Sequence, residues 1–238
     1  MHSKGDPAMH IIWLGHGSFR IEIEDQVLLI DPWINGNPML PEDQVGAAIA
    51  GATQILVTHG HFDHTTDVVD ISKANALPVS AIYELAAHLT SLGAVEGNGF
   101  NMGGTVQFGA VSVTMVPASH SSSTLVDGRG VYMGQEAGFI ITGEGKTIYL
   151  SGDTGIMADM EWIGDYHKPD IGILSAGGYF TMDMAGAAYA AKRYFNFDTV
   201  IPCHYRTFPL LEQSAQALAA GLPGVTVIEP EVMQPITF

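Results

Sequence analysis

Four potential metal ligands lie within six positions of the chain, in an H-x-H-x-D-H motif formed by His59, His61, Asp63 and His64. The motif follows the apolar run at residues 55–57. In an extended segment, side chains two residues apart point to the same side, so His59 and His61 can bind one ion. Asp63 and His64 fall where the chain turns toward a helix-like stretch, and they can face a second ion. Imidazole and carboxylate donors suit Zn²⁺ first, with Mn²⁺ or Fe²⁺ after it.

Three further candidate ligands, His120, Asp153 and His204, each follow an apolar run of strand length. Loops at one rim of a rigid sheet commonly carry functional residues, so these side chains can meet the H-x-H-x-D-H motif. The seven candidates make two sets of three ligands and one spare carboxylate. Because a carboxylate can bridge two ions, the set predicts a two-metal site with a position open for water.

With these residues in this order, the chain resembles the metallo-β-lactamase superfamily over nearly its whole length. Four shorter motifs resemble one branch, the metal-dependent hydrolases grouped with the ascorbate-6-phosphate lactonase. They are W-L-G-H at 13–16, D-P-W at 31–33, G-G-Y-F-T-M at 177–182 and H-Y-R-T-F-P at 204–209. The resemblance implies that His59, His61 and His120 hold one metal, that Asp63, His64 and His204 hold the other, and that Asp153 bridges them.

The resemblance also implies a function, a hydrolase in which a hydroxide shared by two divalent ions attacks a small ester-type bond. A lactone or a phosphorylated lactone is the favoured substrate, and Asp63 is expected to orient the nucleophile and move its proton. A phosphodiesterase acting on a small or lipid phosphodiester is the enzymatic alternative. One-iron oxygen chemistry on thiols and a non-catalytic, metal-bound scaffold are further alternatives.

Outside the ligand set, the sequence indicates several residues whose functional and structural interpretations both stay open. His16 follows a strand and is a candidate proton donor or a structural histidine. Tyr179 is a candidate catalytic or substrate-binding residue, or a packing aromatic. Arg206 could bind an anionic substrate group, because a guanidinium binds phosphate or carboxylate bidentately. Asp31 and Asp67 are candidate hydrogen-bond acceptors for ligand imidazoles.

Composition and charge exclude several classes of protein. The chain has 238 residues, of which 47% are apolar, and no apolar run approaches the ~18 residues that span a bilayer. The net charge of −16 argues against nucleic acid as a partner and favours a small-molecule substrate. The single cysteine, Cys203, forms no internal disulfide and suits the cytoplasm. The sequence does not indicate an oligomeric state, and a homo-oligomer is compatible with it.

The elements that must position these residues alternate between strands and helices. Short strands dominate the first half of the chain, and helices are predicted near residues 158–166, 184–195 and 210–220. This pattern alone indicates α/β or α+β, and the four-layer αββα sandwich comes from the resemblance. Residues 1–8 read as an N-terminal extension or an expression remnant, and residues 9–238 as one hydrolase domain. The polar segment 121–134 is either a lid or a long loop.

Overall fold

Two seven-stranded β-sheets form the centre of the molecule in the computed structural model, which describes residues 8–238. The predicted N-terminal extension lies outside the described residues except for Ala8. In spatial order, the first sheet contains β16 (Pro235–Thr237), β1 (His10–Gly15), β2 (Ser18–Ile23), β3 (Gln26–Ile30), β4 (Gln54–Leu56), β5 (Pro78–Ile82) and β6 (Val95–Phe100). The second contains β15 (Thr226–Val227), β14 (Thr199–Cys203), β13 (Ile171–Ser175), β12 (Lys146–Leu150), β11 (Ala137–Gly143), β8 (Val111–Pro117) and β7 (Thr105–Phe108).

Helices pack against strands of both sheets. They are α1 (Val45–Ile49), α2 (Phe62–Thr65), α3 (Val68–Asn75), α4 (Tyr83–Ser91), α5 (Met160–His167), α6 (Met184–Tyr194) and α7 (Gln216–Gly221). Helix α4 contacts β5 and β6, whereas α6 contacts β13. None of the helices within residues 8–238 is long and apolar enough to cross a membrane.

The two sheets share one hydrophobic core. Buried apolar side chains of both sheets form a continuous cluster, and the rings of Phe100 in β6 and Phe139 in β11 stack across it at 6.3 Å. Strands β13 and β14 are buried at every residue, as parallel strands covered on both faces require. The predicted α/β fold of the αββα type is therefore confirmed, and the single domain over residues 9–238 stays a prediction.

Strand direction brings the candidate ligands to one rim. In the first sheet, β2 pairs antiparallel with both β1 and β3, so β1 and β3 run in the same direction. Strand β4 pairs parallel with β3 and therefore shares that direction. In the second sheet, β8, β12, β13 and β14 run in a common direction for the same reason. His16 and Asp31 follow β1 and β3, and a backbone hydrogen bond of 2.9 Å from His204 N to His16 O joins the rims of the two sheets.

The predicted helix at residues 210–220 is wrong over its first half, since α7 begins only at Gln216. The preceding residues are held as a loop by backbone hydrogen bonds to other parts of the rim. Arg206 N donates to Glu212 O at 2.8 Å, and Glu212 N donates to Gly177 O at 2.9 Å. The second contact joins residues far apart in sequence, so local periodicity could not predict it.

The candidate lid at residues 121–134 is a β-hairpin. Its strands, β9 (Ser123–Val126) and β10 (Arg129–Tyr132), pair antiparallel and form a separate two-stranded sheet. The base of the hairpin is fixed beside the H-x-H-x-D-H motif, because Gly60 N donates to Ser122 Oγ at 3.1 Å.

Candidate metal centre

His59, His61 and His120 form one cluster, in which their donor nitrogens lie within 4.8 Å of one another. His59 and His61 follow β4, and His120 follows β8. His59 Nδ1 contacts Thr58 Oγ1 at 3.0 Å, and His61 Nε2 contacts Ser121 Oγ at 3.3 Å. The remaining nitrogens, His59 Nε2 and His61 Nδ1, face each other at 3.0 Å. The two rings therefore present their free nitrogens to a common point.

A second cluster contains Asp63, His64 and His204, together with His16. Asp63 Oδ2 lies 3.6 Å from His64 Nε2, 3.5 Å from His204 Nε2 and 2.9 Å from His16 Nε2. His16, His64 and His204 are all buried. His16 Nδ1 also contacts Thr207 Oγ1 at 2.8 Å, so both of its ring nitrogens have protein partners.

Asp153 lies between the two clusters. Its Oδ2 atom is 3.0 Å from His204 Nε2 and 3.4 Å from His64 Nε2 in the second cluster. The same oxygen is 3.7 Å from His120 Nε2 and 4.0 Å from His59 Nε2 in the first. One carboxylate oxygen thus faces imidazole nitrogens of both clusters, as the predicted bridging position requires.

Asp31 fixes the orientation of His64 from outside the cluster. The Asp31 carboxylate accepts hydrogen bonds from His64 Nδ1 at 2.8 Å, from Thr58 N at 2.7 Å and from Thr58 Oγ1 at 2.6 Å. This agrees with the sequence-based expectation for Asp31. The same expectation for Asp67 is wrong, because its carboxylate accepts instead from the backbone N–H groups of Ile34 and Asn35.

The donor set fits metal ions. His64 Nε2 is buried and makes no hydrogen bond within residues 8–238, although it faces two carboxylates. Buried polar atoms in native proteins normally have a partner. Five imidazoles and two carboxylates around one centre are also the donors that Zn²⁺, Mn²⁺ and Fe²⁺ accept. The residues present therefore match the group that the sequence implies.

Burial and charge adjust the protonation of these side chains in the metal-free protein. Burial lowers the pKa of His16 to about 4 and also lowers the pKa values of His59, His61 and His120, which keeps these rings neutral. Although burial opposes it, the facing imidazoles hold the pKa values of Asp63 and Asp153 below the usual carboxyl range.

In two other histidines, the pKa is raised instead of lowered. Burial again opposes the shift, but Asp153 raises the pKa of His204 to about 9 and that of His64 well above its usual value. Both rings must lose their protons before they can bind a metal, because only the neutral imidazole is a ligand.

Residues 26–236 match the family model of the β-lactamase superfamily domain. The chain belongs to this superfamily. It is 66% identical to a UPF0173 metal-dependent hydrolase of Roseobacter denitrificans, over 97% of this chain and 100% of that protein. It is 65% identical to another from Ruegeria pomeroyi, over 96% of this chain and 99% of the relative. The predicted superfamily and its metal-dependent hydrolase branch are thus confirmed.

A solved structure supports the same assignment. Igni18, a metallo hydrolase from Ignicoccus hospitalis, superimposes with a TM-score of 0.84 at 30% sequence identity, covering 97% of this chain and 98% of that one. The chain therefore shares its overall fold with this metallo hydrolase.

In this member of the superfamily, a cavity of about 580 Å³ opens over the two clusters. The residues that line it include five predicted ligands and a largely apolar wall: His61, Phe62, Asp63, His120, Ser121, Asp153, Phe180, His204, Phe208 and Leu210. The apolar members of this set were not among the site residues predicted from the sequence. Their positions beside functional motifs could have indicated them. Phe62 lies inside H-x-H-x-D-H, and Phe208 follows His204 by four residues.

The two predicted substrate contacts do not line this cavity. The Arg206 guanidinium lies 3.7 Å from Glu229 Oε1 and over the rings of Trp13 and Tyr205. Tyr179 is exposed at 75%, and its neighbour Phe180 takes the position at the cavity. The roles of Arg206 and Tyr179 in substrate binding stay predictions.

Proposed function

We propose that the protein is a hydrolase that uses two divalent metal ions to cleave a small ester-type bond, with a lactone favoured. The observation that carries the proposal is the position of Asp153 Oδ2, which lies within 4.0 Å of imidazole nitrogens from both clusters. A single-ion site needs no such carboxylate between two complete ligand sets.

His59, His61 and His120 would hold one ion, and Asp63, His64 and His204 the other, with Asp153 between them. When bound, such a pair lowers the pKa of a shared water toward neutrality and polarises the oxygen of the scissile carbonyl group. Zn²⁺ is the favoured metal for this donor set, and Mn²⁺ or Fe²⁺ is compatible with it. Water then adds to the carbonyl carbon and the acyl C–O bond breaks. One proton of the water passes to the leaving hydroxyl oxygen and the other is released, so the products are a hydroxycarboxylate and a proton.

Asp63 is the proposed proton acceptor and orienting residue. Its Oδ2 atom accepts a hydrogen bond of 2.9 Å from His16 Nε2, and the Thr207 hydroxyl can donate to His16 Nδ1 at 2.8 Å. The tautomer that satisfies both contacts has its proton on Nε2. His16 is therefore a positioning residue, which holds the Asp63 carboxylate while Asp63 contacts the reacting water.

The alternatives are less well supported. A phosphodiesterase generally provides cationic groups for the phosphate oxygens, and no lysine or arginine among residues 8–238 lines the cavity. A non-catalytic scaffold has no need for two ligand sets and an oriented Asp63. We also propose a small-molecule substrate and a cytoplasmic location, the latter supported by the free thiol of Cys203. A homo-oligomer remains compatible with the proposal.

Metal analysis and a substrate screen test the proposal together. Elemental analysis should find close to two metals per chain, and the loaded protein should hydrolyse lactones in preference to phosphodiesters, thioesters or β-lactams. Asp153→Ala should lose metal and activity together, whereas Asp165→Ala, which removes an exposed carboxylate in α5, should keep both. A stable content of one iron per chain would overturn the dinuclear proposal.

A further inference from the structure

Beside the two ligand clusters, the wall of the cavity is aromatic and aliphatic. Phe62, Phe180, Phe208 and Leu210 provide this wall. Phe62 is 64% exposed, Phe180 47% and Leu210 53%. Large apolar side chains grouped at the mouth of a cavity usually mark a binding surface, because single exposed apolar residues are common but contiguous patches are not.

This apolar wall is supported from behind. The Trp33 ring lies 5.9 Å from the Phe62 ring and 6.2 Å from the Phe208 ring, and Trp33 itself is buried. The loop that carries Phe208 and Leu210 is braced by Gln213 Nε2, which donates to Phe208 O at 2.9 Å. Side chains held in this way can select a substrate group by shape, since little ordering is needed on binding.

The cavity offers no protein cation to an anionic substrate. Within residues 8–238, neither lysine nor arginine contributes to its lining, and Arg206 faces Glu229. The protein also carries a net charge of −16, which repels anions at long range. A charged group placed against the wall would lose its hydration without gaining a partner, which is costly.

We infer that the substrate carries an uncharged, apolar alkyl or aryl group, which packs against Phe62, Phe180, Phe208 and Leu210 while its ester or lactone carbonyl faces the metal clusters. The inference rests on the proposed function, since it names the substrate class of the same site. Alkyl-substituted lactones are therefore favoured over phosphorylated lactones as substrates.

A series of γ-lactones with alkyl substituents of one, three and five carbons tests the inference on the metal-loaded protein. Each buried methylene should raise kcat/KM by up to about fourfold. A matched lactone whose substituent ends in a carboxylate should be hydrolysed more slowly than the alkyl compound of equal length. Equal or faster hydrolysis of the carboxylate compound would overturn the inference and leave the proposed function standing.

Variants of the wall identify where the substituent binds. Phe180→Ala and Leu210→Ala should each lower kcat/KM for the five-carbon lactone by about tenfold and change it little for the one-carbon lactone. Tyr166→Ala removes an aromatic ring that is 78% exposed in α5 and should change neither value. A uniform loss with all lactones in the wall variants would contradict a role in substrate selection.

Binding of the corresponding γ-lactams separates the inference from the proposed function, because these unstrained amides resist hydrolysis. Isothermal titration of the metal-loaded protein should show tighter binding of the five-carbon alkyl lactam than of its carboxylate counterpart. If no lactone is hydrolysed but this preference is found, the proposed function fails and only the preference of the wall for an uncharged, apolar group stands. If the carboxylate lactam binds as tightly, the inference fails whatever the hydrolysis screen shows.

Discussion

Asp31 contacts the predicted ligand His64 but is not itself a predicted ligand, and its position explains how His64 is oriented. Its carboxylate holds His64 Nδ1 and both hydrogen-bond donors of Thr58. His64 Nε2 is thereby turned toward Asp153. The ligands themselves could be predicted from residue type and spacing. The sequence offered Asp31 and Asp67 equally as supporting partners and could not separate them, because Asp31 precedes His64 by 33 residues and only the pairing of strands brings the two together.

Asp31→Ala should therefore lower metal affinity by about 10- to 100-fold, the usual effect of losing such a partner. Competition with a chromophoric chelator measures the affinity of the purified protein. Asp67→Ala is the matched control, because it removes a buried carboxylate that holds the loop at Ile34 and Asn35 and touches no ligand. It should reduce stability and leave metal affinity unchanged. Equal losses of affinity in the two variants would refute the role of Asp31.

His16→Ala should keep both metals and lose catalysis, because His16 positions Asp63 and its own nitrogens are already occupied. We expect kcat to fall by about 10²- to 10⁴-fold, the range for general acid–base catalysis, with KM little changed. Thr207→Val should give a smaller loss, and Thr207→Ser should restore the wild-type rate, since only the hydroxyl contacts His16. An empty metal site in His16→Ala would instead show that His16 is a ligand.

At the scale of the elements, strand ends place the ligands and close backbone contacts fix those ends. His16, Asp31 and His204 all adopt left-handed backbone conformations, with φ of 53°, 46° and 58°. Such conformations are unfavourable for residues other than glycine and persist only where packing enforces them. Hydrophobic periodicity predicted most strands and helices because it is local. It did not predict these bends or the loop before α7, since both depend on contacts that form only in the folded chain.

Gly177→Ala should displace the end of β14 and empty the second cluster. A Cβ atom at Gly177 would lie 1.8 Å from His204 O, so the His204 backbone would have to move. At Gly164, a Cβ would lie 2.0 Å from Tyr194 O, an equally severe clash between α5 and α6, away from the site. Both variants should lose about 1–3 kcal/mol of stability or more, measured by urea unfolding.

Metal content should separate these two glycine variants, because only Gly177 adjoins a ligand. Gly164→Ala should retain close to the wild-type metal content. Gly130→Ala places its Cβ in open space and should change neither stability nor metal content. If Gly177→Ala kept its full metal content, the position of His204 would not depend on this close contact.

At the scale of the whole molecule, the metal centre joins the two sheets. Its ligands follow strands of both sheets, so binding metals to the native state stabilises the entire fold by mass action. When a chelator removes the metals, the buried titratable side chains of the site make the stability of the protein sensitive to pH. The sequence predicted these side chains as ligands, but the direction in which each pKa moves depends on burial and neighbours that only the folded chain provides.

The stability of the metal-free protein should be greatest near pH 6.5 and should fall on both sides. Burial lowers the pKa of His16 to about 4, below its unfolded value, so protons favour the unfolded chain as the pH falls from about 6.5 toward 4. His59, with its lowered pKa, acts in the same direction. Although burial opposes it, Asp153 raises the pKa of His204 to about 9, so the stability that this proton contributes is lost as the pH rises toward 9.

Urea midpoints of the chelator-treated protein at pH 4.5, 6.5 and 9 test this dependence, and the metal-loaded protein is the control. With metals bound, His204 is already deprotonated, so the alkaline loss should disappear. The acidic loss should become steeper, because protons then compete with the metals for the same nitrogens. If the metal-free midpoint at pH 9 equalled that at pH 6.5, the proposed pairing of protonated His204 with Asp153 would be wrong.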